Sequence, residues 1–93
     1  MKLRQIYRPA RSEYFKEDYT QLVSKNKGLQ EQIDKKILQI LENPESHKNL
    51  KRPLQRYKRA HIGPFVMTFR VESDVVRFVR IEHHDRVYKL PHD

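Results

Sequence analysis

Cysteine is absent from this 93-residue chain, which excludes a disulfide framework, a thiol nucleophile and every cysteine-based zinc site. No run approaches eighteen consecutive apolar residues, so no membrane-spanning helix is expected. The opening MKLRQIYRPARSEY lacks the apolar stretch of a signal peptide, and a cytoplasmic location is the expectation. His61, His83, His84 and Asp85 are of metal-ligating types, but they lack the helical or paired-cysteine spacing that fixes such a site. No metal and no cofactor is therefore expected. Acid is also missing where base is plentiful. Between Ser46 and Val71 there is neither Asp nor Glu, while Lys48, Lys51, Arg52, Arg56, Lys58, Arg59 and Arg70 all fall there, with His47 and His61.

The formal charge is +8, and it is unevenly placed. Residues 1–46 carry nine basic and seven acidic side chains; residues 47–93 carry eleven and five. An acid-free basic stretch with an interleaved aromatic, Tyr57, is the footprint of phosphate binding, or else a solvated face of a basic protein. The length suits one domain over 1–93 with a modest core, burying about 60–65% of the unfolded surface. The chain is polar, yet it has too much Ile, Leu, Val, Phe and Tyr for a disordered segment.

Periodicity orders the chain. MKLRQIY reads as a short opening strand, and either Pro9 or Ser12 can begin a helix. Phe15, Tyr19, Leu22 and Val23 share one helical face, and Gly28 suits the turn after that helix. Ile33, Ile37, Ile40 and Leu41 repeat the spacing in a second helix, flanked by Leu29 and Leu38 and stopped by Asn43-Pro44. So short a connection predicts an antiparallel helical hairpin. After Pro53 the period becomes two. Residues 57–62, 65–71 and 75–81 read as strands, with Gly63-Pro64 and Glu72-Ser73-Asp74 between them. Glu82-His83-His84-Asp85 reads as a turn before a closing strand from Arg86 to Leu90. The fold class is α+β: an N-terminal strand, a helical hairpin, then a three- or four-stranded antiparallel meander with the helices on one sheet face. Phe65, Met67, Phe69 and Val71 are core positions. Tyr57, Arg59, His61, Val66, Thr68 and Arg70 are expected on the face left to solvent or ligand.

Positions 50–89, LKRPLQRYKRAHIGPFVMTFRVESDVVRFVRIEHHDRVYK, carry a family pattern. A leucine precedes a strand of the form R-V-R-V-G-D-Y-R-L-I-Y, followed by a hairpin, a V-x-V-L-x-V strand and a closing H-R-x-x-V-Y. Arg59, Gly63, Phe65, Met67, Phe69, Val71, Val79, Ile81, His83, Val87 and Tyr88 fall on the expected residue types. Leu41-Glu42-Asn43-Pro44 is similar to the L-x-x-P that ends the family's second helix. In this pattern the chain resembles the RelE/ParE toxin superfamily, the toxin halves of type II toxin–antitoxin pairs.

The resemblance implies a RelE-like fold and a metal-independent endoribonuclease that cleaves ribosome-bound mRNA by attack of the 2′-hydroxyl on the adjacent phosphate. It also implies a cognate acidic antitoxin as partner, with mRNA and the ribosome. Arg59 takes the place of a family lysine, Tyr57 lies where another often sits, and Tyr88 matches a C-terminal tyrosine that stacks on the base or acts as acid. His84 and Val66 stand where arginines are usual. The expected catalytic set is Arg59, His84 and Tyr88, with His83 and His61 as further candidates. The expected RNA contacts are Lys51, Arg52, Arg56, Tyr57, Lys58, Arg80 and Arg86. The alternative is a ParE-like or degenerate relative that binds RNA, an antitoxin or another protein without cutting RNA.

Overall fold

Ser12 fixes the start of the first helix. It sits in extended backbone, and its hydroxyl accepts from the Phe15 amide at 3.0 Å, supplying one of the bonds that a helix start lacks. The computed structural model describes residues 7–52 and 54–86. Strand β1 is Arg8–Arg11, helix α1 Glu13–Lys25 and helix α2 Lys27–Glu42. Pro9 therefore lies in an edge strand and not in a helical turn, where its missing N–H is tolerated. The opening strand expected over 1–7 lies outside the described residues except for Tyr7. Asn26 alone joins the helices. Its backbone N–H closes α1 on the Leu22 carbonyl, and its side chain accepts from Leu29 N–H to begin α2. Gly28 consequently sits in the first turn of α2 and not after α1.

Asn43-Pro44 ends α2 and opens a 3-10 turn, Pro44–Ser46. Strands β2 (Lys58–Ile62), β3 (Phe65–Glu72) and β4 (Val75–His83) form the antiparallel meander, and a second 3-10 turn spans His84–Arg86. Glu82 and His83 thus belong to β4, and the turn expected there begins only at His84. The closing strand from Arg86 lies outside the described residues beyond its first position. Gly63, at φ 56°, takes the backbone angle that a two-residue turn between right-twisted strands needs. The sheet order is β1-β4-β3-β2, with β1 parallel to β4. The helical hairpin is the crossover that brings a parallel partner to an otherwise antiparallel sheet.

The main core is the expected one. Phe15, Ile33, Ile37, Ile40 and Leu41 pack on Met67, Phe69, Phe78 and Ile81, while Leu38 points outward at 63% exposure. Between Thr68 and Phe69 the β3–β4 register shifts by one residue. Thr68 pairs with Arg80 and Phe69 with Phe78, so Val79 has no partner in register. Phe78 and Ile81 can then both face the helices, and Val79 turns to the other side. There Leu50, Tyr57, Val66 and Val79 form a second apolar cluster, with Leu54 against it. The face expected to be open is therefore partly roofed by the chain between α2 and β2. Tyr57 and Val66 are each 2% exposed and Thr68 0%.

Candidate functional site

β2 forms one edge of the sheet, and the chain after α2 runs beside its first half. Leu50 N–H donates to the Tyr57 carbonyl at 2.8 Å, and Arg59 N–H donates to the Lys48 carbonyl at 3.0 Å. This pairing sets Lys48 next to Arg59. α2 supplies the facing wall. A cavity of about 400 Å³ is lined by Lys36, Ser46, His47, Lys48, Arg59, Ala60 and His61. A second, of about 330 Å³, is lined by Lys35 and Lys36 with Gln32, Gln39, His61, Ile62 and Gly63. The two share Lys36 and His61, and no acid lines either one. The Arg59 guanidinium has no hydrogen-bond or ion-pair partner among the described residues, and Arg59 is only half-buried. Such a groove is a local positive potential bounded by protein, which favours a phosphate over a neutral ligand.

His47 lines the first of these cavities, its ring edge-on to Phe69 at 5.6 Å. Burial first, then the charges of Lys36 and Lys58, hold its pKa below the ordinary 6.5. Because the folded value is the depressed one, the unfolded chain binds the proton more readily. Stability is then full above about pH 6.5 and is lost as pH falls toward the folded value. Thermal unfolding between pH 7 and 5 checks this. The melting temperature of the wild type should fall more steeply than that of His47→Gln, and equal slopes would refute the assignment.

The remaining histidine candidates stand at the end of β4. His83 packs edge-on against Phe65, its register partner, at 6.1 Å. His84 is tied to the β2–β3 turn: its backbone N–H donates to the Pro64 carbonyl at 3.0 Å, and its ring Nδ1 lies 3.3 Å from the same oxygen. Gly63, the residue before, lines the second cavity with His61. One short turn therefore stands between the His61 side of the groove and the His83–His84 pair. Tyr88 lies outside the described residues, and so does the side chain of Arg86.

Folding separates the expected RNA contacts. Lys51 and Arg52 are exposed, and Arg56 lies over the Tyr57 ring at 5.1 Å, its Nη2 donating to the Tyr57 hydroxyl at 3.1 Å. Tyr57 is a core residue, not an open stacking platform, because it anchors the second cluster. The Lys58 ammonium is held inward by the His47 carbonyl at 3.1 Å and Asn49 Oδ1 at 3.3 Å. Arg80 is not a free cation. Its Nε and Nη2 donate to both oxygens of Asp18 at 2.8 and 3.1 Å, and Glu82 lies 3.3 Å away. Bonding to Asp18 is the main cause that raises the Arg80 pKa above its ordinary value. Lys35 and Lys36 enter the site although they fall outside the basic stretch of the sequence. Their only signal was a position beside the Ile33/Ile37 stripe, which becomes meaningful once α2 is known to border β2.

A four-stranded sheet ordered β1-β4-β3-β2, one face under a helical hairpin and a cationic groove at the β2 edge, defines a RelE-like α+β protein. The fold likeness is direct. The toxin–antitoxin complex RelBE2 from Mycobacterium tuberculosis superposes with a TM-score of 0.73 at 17% identity, over 85% of this chain and 92% of that one. A variant of the Escherichia coli toxin RelE in the free state gives 0.71 at 18% identity, over 89% and 88%. A Methanocaldococcus jannaschii protein named as a RelE4 toxin is 45% identical over 60 residues, covering 61% of this chain and 64% of that relative, just under two thirds of its length. Residues 6–88 match the family model described as ParE toxin of the type II toxin–antitoxin system, parDE. The chain belongs to this family, within the RelE/ParE superfamily of type II toxin–antitoxin toxins. No helix among the described residues is long and apolar enough to cross a membrane.

Proposed function

We propose that the chain is a toxin that cleaves ribosome-bound mRNA in the cytoplasm and is held silent by an acidic antitoxin. The observation that carries this reading is the acid-free groove in which Arg59, without a side-chain partner among the described residues, faces Lys36 and Lys48 with His61 beside it. In the proposed reaction a base takes the proton of a 2′-hydroxyl, and the freed oxygen attacks the adjacent phosphorus. The bond from phosphorus to the 5′-oxygen breaks, and an acid protonates that leaving oxygen. The products are a 2′,3′-cyclic phosphate and a 5′-hydroxyl. Arg59 and the groove lysines meet the charge that develops on the phosphoryl oxygens. His61 and His84, on either side of the Gly63–Pro64 turn, are the proton-transfer pair we favour, with His83 and Tyr88 as the nearest substitutes in sequence.

The burial of Val66 sharpens this assignment. At the position where family members usually place an arginine, this chain has a residue 2% exposed in an apolar cluster. On the neighbouring strand His61 lies opposite Val66 and Arg59 opposite Thr68, and we assign the charge near that point to Arg59. An acidic amphipathic segment would suit the same groove as antitoxin, which fits the toxin–antitoxin complex known for the RelBE2 relative. Inducible expression of wild type, Arg59→Ala, His61→Ala, His84→Ala and Tyr88→Phe, with growth curves and primer extension on a translated mRNA, tests the reading. Codon-positioned cuts that fade in Arg59→Ala and in a histidine variant are expected. Toxicity without cuts would instead indicate a protein target.

A further inference from the structure

We propose that His83, His84 and Asp85 form a surface site for a divalent transition cation, of which Zn²⁺ and Cu²⁺ are the best-matched. Three consecutive residues show no metal spacing in a sequence. Here the chain leaves β4 at His83 and tightens at once into a 3-10 turn, which folds the three side chains together. His83 Nδ1 lies 3.4 Å from Asp85 Oδ2, and His84 Nε2 lies 3.0 Å from Asp85 Oδ1. Two ligands on a tetrahedral ion with bonds of about 2.0–2.1 Å stand roughly 3.3 Å apart, so both spacings already suit a shared ion. All three donor atoms lie within 4.8 Å of one another, and the imidazole centroids are 4.5 Å apart.

Hydrogen bonding gives a second and independent reason. The Pro64 carbonyl can only accept, so the His84 Nδ1 beside it carries the ring hydrogen. That leaves Nε2 as the ring nitrogen beside the Asp85 carboxylate, 3.0 Å from Oδ1. Asp85 N–H donates to His83 Nδ1 at 3.4 Å, which ties the His83 ring to the same turn. Both imidazole nitrogens thus lie beside the Asp85 carboxylate, where a shared cation would bridge all three side chains. The Pro64 bond also plays the outer role that a metal-binding histidine usually needs, fixing both tautomer and ring orientation. Two imidazoles and one carboxylate leave an open coordination position, and all three residues are exposed, so an ion has free access.

Calorimetric titration of the full chain with ZnCl₂ alone tests the site. One-to-one binding is expected, weakened at least ~10-fold by His84→Gln and by Asp85→Asn and unchanged by His47→Gln. Ring-proton NMR signals of His83 and His84 should move on Zn²⁺ addition. No binding would overturn the proposal, and so would equal binding by the His84→Gln and Asp85→Asn variants. A consequence rests on the cleavage reading above: the ion would occupy nitrogens proposed for proton transfer and so inhibit the enzyme. Calorimetry decides the site whatever the activity. Cleavage undiminished at saturating Zn²⁺ would overturn only the inhibition.

Discussion

Asp18→Ala is expected to lower the melting temperature by on the order of 15 °C, corresponding to about 3 kcal/mol. One carboxylate takes three bonds here: from Arg80 Nε at 2.8 Å, Arg80 Nη2 at 3.1 Å and the Ile81 amide at 3.0 Å. Its side chain is 13% exposed and that of Arg80 21%. Removing it strands a half-buried guanidinium and a strand N–H, and Glu82, 3.3 Å from Arg80, offsets only part of that loss. The cost is also architectural. β1 pairs with β4 only as far as Phe78, and beyond it α1 serves the open strand edge. Ser12 N–H donates to the Phe78 carbonyl, Ser12 Oγ to the Val79 carbonyl, and Asp18 accepts from Ile81. Asp18→Asn keeps an acceptor for Ile81 while losing the charge, so its melting temperature should fall between the two. A shift below about 4 °C for Asp18→Ala would mean that water, not Asp18, satisfies Arg80.

The second large effect belongs to Arg59. Under the proposed chemistry, Arg59→Ala should slow mRNA cleavage by about 10²–10³-fold, the usual cost of losing one preorganised donor to a developing oxyanion. The melting temperature should barely change, because the guanidinium has no partner among the described residues to lose. Arg59→Lys keeps the charge but not the two-pronged donor geometry, so partial recovery is expected. Single-turnover cleavage of a programmed ribosome reads both. An unchanged rate in Arg59→Ala would move the phosphate charge to Lys36 or Lys48.

Some of this was open to reading in the sequence, and the reason is local. The Ile33/Ile37/Ile40/Leu41 spacing, the Ser12 cap and the strand alternation after Pro53 depend on neighbours a few residues apart. Three features depend on distant partners and were hidden. The parallel seat of β1 needs the helical hairpin to have crossed the sheet. The roof over Val66 and Thr68 needs Leu50, Leu54 and Tyr57, apolar residues scattered through a basic stretch, to fold back together. Among the site residues, Arg59 and Arg80 look alike in sequence. Only the fold shows that Arg80 is claimed by Asp18, 62 residues earlier, and that Arg59 has no such acid among the described residues. Charge counting located the basic half of the molecule but could not say which cations are free.

The claim that this toxin cuts RNA through its 2′-hydroxyl is tested most directly with purified protein and ribosomes programmed with two mRNAs. The second mRNA differs only by a 2′-deoxynucleotide on the 5′ side of the mapped cut. The expected result is cleavage of the first with a 2′,3′-cyclic phosphate end, and no cleavage of the second at that bond. Equal cutting of both, or an intact first mRNA under a preparation that arrests growth, would contradict the account.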